Sequence, residues 1–128
     1  MDAITVTLVT KIIVTAVLLV PPFLLYSKDK LGPRLDVVAN SPTFFRLYGV
    51  AMLALLAAYI SGLLQVIQGE FPWGIIPMAI VSNGGGAIVL FTLGSATVKR
   101  TTAPVFGALA VAFIFCALVP DAAMTKFF

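Results

Sequence analysis

TFFRLYGVAMLALLAAYISGLLQVI, Thr43 to Ile67, is 25 residues long and carries one charged side chain, Arg46. Crossing about 30 Å of hydrocarbon takes roughly 20 helical residues, so this stretch is long enough to span a bilayer with length to spare. Ser41-Pro42 before it supplies an N-cap and a first helical residue, and Gly69 after it suits the residue that closes a helix. The spacing predicts one helix from about the Ser41-Pro42 pair to Gln68, tilted or projecting beyond the hydrocarbon.

Working outward, the same reading applies to 4–26, 73–94 and 103–119. The chain is 61% hydrophobic and 10% charged, with a mean hydropathy of +1.13, which leaves too little polar surface for a soluble fold. The fold class is therefore all-α: a single domain over 1–128, polytopic, with four transmembrane helices in a bundle. The longest polar segment, Ser27–Pro42, is too short for a soluble catalytic core. Its Gly32-Pro33 pair reads as a turn in an ordinary connection.

The spans are unequal. In the first, Pro21-Pro22 removes two backbone donors, so the helix is expected to kink or stop there. The third is entered through Phe71-Pro72-Trp73, with Trp73 an interfacial anchor, and its regular helix is expected from Ile75 or Ile76. The fourth opens after Thr101-Thr102 and ends before Pro120, which makes it short. A short span beside a long one implies local thinning of the bilayer, or a continuation of residues 121–127 along the outer surface. A cleaved leader is not expected, because no small-x-small site follows Val20.

Charge sets orientation. Lys28, Lys30, Arg34, Arg46, Lys99 and Arg100 lie in or beside loops one and three, whereas the other side has only Lys11 and Lys126. By the positive-inside rule these loops are cytoplasmic and both termini lie outside an inner (plasma) membrane. So marked a bias argues against dual insertion. The excess of positive charge has this use and does not indicate nucleic acid.

Function has few handles. Histidine is absent and Cys116 is the lone cysteine, so no intrachain disulfide forms and the usual general base is missing. No catalytic residue, metal site or cofactor is expected. The candidate polar intramembrane site is Lys11, Tyr59, Asn83 and Asp121. Lys11 shares a face with Thr7 and Thr15; it either snorkels to the headgroups or pairs with Asp121 or Glu70. Asn83, in the run Ser82-Asn83-Gly84-Gly85-Gly86, needs a partner in hydrocarbon, and Tyr59 needs one if buried. The glycines either let helices pack closely or break the helix beside a polar cavity. Ala54, Ala58 and Gly62 form a small-residue stripe, and Ser82 and Gly86 a small-xxx-small pair. Arg46, among Phe44, Phe45 and Tyr48, reads as a lipid or interface anchor, with Asp36 a possible ion partner.

Phe44-Phe45-Arg46-Leu47-Tyr48-Gly49, together with the Gly-Gly-Gly-Ala segment of the third span, resembles the DoxX-like group of small four-helix membrane proteins. The resemblance covers the span plan over most of the chain. It implies a four-helix fold and, for some of that group, a role as subunit or accessory of a larger membrane or redox system. It carries no cofactor-binding residue across. Small multidrug transporters share the size and span count, but this chain has Lys11 where they use an intramembrane carboxylate. The expected function is a non-enzymatic accessory or scaffold subunit, embedded in the lipid bilayer as a homo-oligomer or in a larger membrane complex. The alternative is a small-solute or ion transporter with a polar site near mid-membrane.

Overall fold

The computed structural model describes residues 1–35 and 37–127. It is all-helical, with four helices long and apolar enough to cross a membrane: Ala3–Leu25, Thr43–Ile67, Ile76–Leu93 and Ala96–Leu118. The chain is a multi-pass membrane protein.

The first span is built in three pieces. Helix α1 (Ala3–Ile13) is capped by Asp2, whose carboxylate accepts from the Thr5 N–H at 2.8 Å. A π-helical turn over Val14–Leu19 follows, closed by the Val20 N–H on the Thr15 carbonyl, and α2 (Val20–Leu25) completes the span. The proline pair neither stops the helix nor breaks it at the prolines. Their rings would crowd the carbonyls four residues earlier and offer them no donor. The wider π turn lies over those carbonyls and takes up the disturbance one turn upstream.

The connection after it also differs from the expected loop. Lys28–Leu35 is a helix, α3, with Pro33 inside it and Leu31 and Gly32 buried. The bond that Pro33 cannot make is to the Asp29 carbonyl, on an exposed residue that water can serve. Helix α4 (Thr43–Ile67) begins one residue later than the Ser41-Pro42 reading, although Ser41 still caps it: the Thr43 N–H donates to Ser41 Oγ at 3.1 Å. Its far end is a Schellman motif. Gly69 takes φ +86°, its N–H bonds the Val66 carbonyl, and the Glu70 N–H bonds the Gln65 carbonyl.

Helix α5 (Ile76–Leu93) runs unbroken through the three glycines, so the broken-helix expectation does not hold. The fourth span is not short. A five-residue helix, α6 (Ala96–Arg100), capped by Ser95, precedes α7 (Thr102–Leu118) and extends it. Beyond Val119, α8 (Pro120–Ala123) turns under α1, and the Phe127 N–H donates to the Met1 carbonyl at 2.9 Å.

The four spans form two hairpins. Helix α5 packs most extensively on α7, and α1 and α2 pack on α4; the hairpins join chiefly where α1 meets α7. The buried core gathers at the end holding both termini, around Ile4, Leu8, Tyr59, Ile76, Phe113 and Cys116. The opposite end carries the basic residues of α3 and α6.

Candidate functional site

A hydroxyl and an amide stitch the two hairpins together. Asn83, fully buried on α5, donates one amide N–H to the Ala79 carbonyl of the preceding turn at 2.8 Å and the other to the Tyr59 hydroxyl of α4 at 3.1 Å. Tyr59 O and Ser82 Oγ are 3.0 Å apart, and Ser82 Oγ donates to the Ala79 carbonyl at 3.3 Å. Each hydroxyl has one proton to give. Because Tyr59 accepts from Asn83 while Ser82 spends its proton on Ala79, the Tyr59 proton points to Ser82. The order Asn83 to Tyr59 to Ser82 to Ala79 is then fixed by donor count. This polar chain has an open end at Asn83 Oδ1, and a second buried polar atom, Thr15 Oγ1 in the π turn of the first span, likewise has no hydrogen-bond partner among the described residues.

Lys11 belongs to the same cluster. Its side chain is 2% exposed, so it does not snorkel. Its ammonium lies over two rings, 4.6 Å from the Phe106 centroid and 5.6 Å from that of Tyr59. The described residues include one ion pair, Lys28 with Asp29, and Lys11 takes no part in one. Asp121 and Glu70 are exposed, and the Asp121 main-chain carbonyl accepts from Thr125. The expected placement of Asp121 in the site, and of either carboxylate as the lysine's partner, is therefore corrected. The reason is geometric: α8 turns Asp121 outward, whereas Lys11 sits two turns deeper on the inner face of α1. A charge at helix mid-depth costs about 2.5–3.5 kcal/mol, and a desolvated cation–π contact returns about 2 kcal/mol. The two ring faces therefore offset part of that cost and leave the Lys11 charge without a counter-ion among the described residues.

Phe113 completes the aromatic wall, stacked on Tyr59 at 6.1 Å between centroids. Neither Phe106 nor Phe113 was among the expected site residues. Ala103, Phe106, Ala110 and Phe113 recur at helical spacing, but α7 is apolar on every side, so periodicity does not single out its inner face.

The packing residues divide. Gly86 is essential to its contact, since a Cβ there would lie 2.8 Å from Phe106 Cδ1, and Gly62 is closely covered by Ile75. Ser82 bonds across to Tyr59. Ala54, however, is exposed and Ala58 only half-buried, so the Ala54–Ala58–Gly62 stripe is not the internal seam. The inner face of α4 instead runs through Phe45, Gly49, Met52, Tyr59, Gly62 and Val66. It is offset because Tyr59 must face its partners on α5.

Arg46 donates through Nη1 to the Phe23 carbonyl at 2.8 Å. It ties down one of the last carbonyls of α2. Asp36, considered as its ion partner, lies outside the described residues. Phe23 meets Tyr48 in a tilted ring contact, 4.6 Å between centroids, at the same junction. Trp73 is 55% exposed beside Phe71, as an interfacial ring requires.

Compared with family models, curated proteins and solved structures, the chain matches none.

Proposed function

We propose that this protein is a non-enzymatic accessory or scaffold subunit that assembles in the membrane through the outer face of α4. The observation that carries this is a small-residue face left uncovered. Ala51, Ala54 and Ser61 are exposed, and Ala58 and Gln65 half-buried, in one line turned away from the core seam. In lipid the hydrophobic effect does not drive helices together; close backbone approach over small residues, with polar links such as Ser61 and Gln65, does. The DoxX-like resemblance fits such a role.

The basic residues of α3 and α6 favour a cytoplasmic position for that end, with both termini outside an inner membrane. The test is cross-linking in native membranes with Ala54→Cys in a Cys116→Ala background. A dimer band, or an adduct of fixed higher mass, is expected, with the same stoichiometry in native mass spectrometry. A protein that stays monomeric in both measurements overturns the proposal.

A second reading, small-solute or ion transport, is favoured by the buried, carboxylate-free Lys11. Flux into proteoliposomes that is lost in Asn83→Leu would support it over the scaffold role.

A further inference from the structure

Three clefts end on one ring. One of about 460 Å³ runs between Leu19 and Phe23 of the first span, Tyr48 of α4 and Leu90 of α5, and reaches Phe106. Another of about 320 Å³ lies between Val14, Leu18 and Val105 and also reaches Phe106. A third, about 360 Å³, opens between Met52 of α4 and Gly85 and Gly86 of α5, with Ser82 on its wall, and again meets Phe106. All three fall within the size range of small-molecule sites, about 300–1,000 Å³, and their linings are mostly apolar. Phe106 therefore separates lipid-side space from the Lys11 ammonium that rests on its ring.

Beneath that ring, the charge is unbalanced. Two aromatic faces steady the Lys11 ammonium but accept none of its three N–H donors in ordinary hydrogen-bond geometry. Thr15, one turn further along the same face, has a fully buried hydroxyl with no partner. The donors of Asn83, Tyr59 and Ser82 are committed to one another and to the Ala79 carbonyl, and the acceptor left open beside them, Asn83 Oδ1, is neutral. What the pocket lacks is an acceptor carrying one negative charge, and what it offers is apolar space leading up to it.

Depth restricts the occupant. Lys11, Tyr59 and Asn83 lie seven or eight residues in from the terminal-side ends of their helices, about 12 Å at 1.5 Å per residue. The phosphate of a two-chain lipid would have to drag its glycerol and polar headgroup below the interface to reach that level. A carboxylate at the end of one alkyl chain would not.

We infer that Lys11 and Thr15 form the head-group site of a lateral pocket for a single-chain amphiphile with a monoanionic head, a long-chain carboxylate, reached by swinging Phe106 aside. This inference does not depend on assembly through α4. Gly86 fits the same account, because only a glycine leaves the Phe106 ring its present place against α5.

The test uses the full chain in phosphatidylcholine nanodiscs, titrated with parinaric acid and with the corresponding alcohol against empty discs. A charge-assisted hydrogen bond is worth enough to favour the acid by at least about tenfold. Lys11→Met should abolish that preference and leave alcohol binding unchanged. Phe106→Ala should retain the preference and speed exchange. Equal binding of acid and alcohol to the wild type overturns the inference, and so does a preference that survives Lys11→Met. The wild-type comparison decides the matter even if Lys11→Met does not fold. Displacement of the acid by phosphatidylglycerol at equal mole fraction would overturn the single-chain assignment. Failure of the Ala54→Cys cross-link bears only on assembly.

Discussion

The two ends of the bundle are built from similarly apolar sequence, but the large cluster of fully buried side chains lies at one of them. At the terminal end, Ile4, Leu8, Tyr59, Phe113 and Ala123 are fully buried, and α8 folds beneath α1. At the basic end, Leu25, Phe44 and Leu93 are more than 70% exposed, and clefts run inward to Phe106. Hydropathy does not separate these ends. Small side chains and polar links do. Ala79, Cys116 and Ala123 let helices approach at the terminal end, and the Asn83–Tyr59 bond fastens α4 to α5. At the other end the π turn and proline pair set α2 against α4, and Arg46 holds it there. In a membrane, where burying apolar surface gains little, contact follows shape and hydrogen bonding.

The terminal end should be the more sensitive to truncation of a ring. Phe113→Ala is expected to cost about 3–5 kcal/mol as a cavity forms beside Tyr59, whereas Phe44→Ala, on an 82% exposed ring, should change stability by less than about 0.5 kcal/mol. Reversible unfolding in mixed micelles measures both, and comparable losses would erase the distinction between the ends.

Adjacent glycines of α5 should also differ. A Cβ at Gly86 meets Phe106, so Gly86→Ala should cost about 1–3 kcal/mol through overpacking, with the loss relieved by Phe106→Ala. At Gly85 a Cβ meets nothing within 4 Å, so Gly85→Ala should be neutral or stabilise by up to about 1 kcal/mol through helix propensity. The same assay reads the pair, and equal effects at both glycines would contradict the packing described.

A smaller effect is expected at the polar stitch. A double-mutant cycle of Tyr59→Phe and Asn83→Leu should give a coupling of about 0.6–1.7 kcal/mol, the range for hydrogen bonds between membrane helices. Strict additivity would mean that the bond contributes nothing. The smallest effect belongs to Asp121→Asn, which should shift stability by less than about 0.5 kcal/mol, equally in wild type and in Lys11→Met. A loss confined to wild type would restore the ion pair that the geometry denies.

Much of the frame was legible in the sequence. Apolar length located all four spans, Gly69 and Pro120 marked two of their ends, and α5 starts at Ile76, one of the two expected positions. The inward face of Thr7, Lys11 and Thr15 was readable because polar groups in hydrocarbon must turn toward one another. Likewise Asn83 and Tyr59 each announced a need for a partner, and they meet. Other features depend on tertiary placement. Gly32-Pro33 signals a turn locally, yet sits within α3 because the missing bond falls on the solvent side. The Ala54 stripe has the right spacing for packing but is rotated away once Tyr59 faces α5. Asp121 was near Lys11 along the bundle axis, and only the turn at Val119–Pro120 sends it outward. Phe106 was hidden by the uniform apolarity of α7.

Lys11 is enclosed between Tyr59 and Phe106 instead of reaching the interface. Amine acylation of the unmodified protein in nanodiscs, followed site by site by mass spectrometry, tests it directly. Lys11 should remain unmodified under conditions that acylate Lys30, Lys99 and Lys126, which are exposed. Modification of Lys11 at a rate comparable to that of Lys126 would contradict the account.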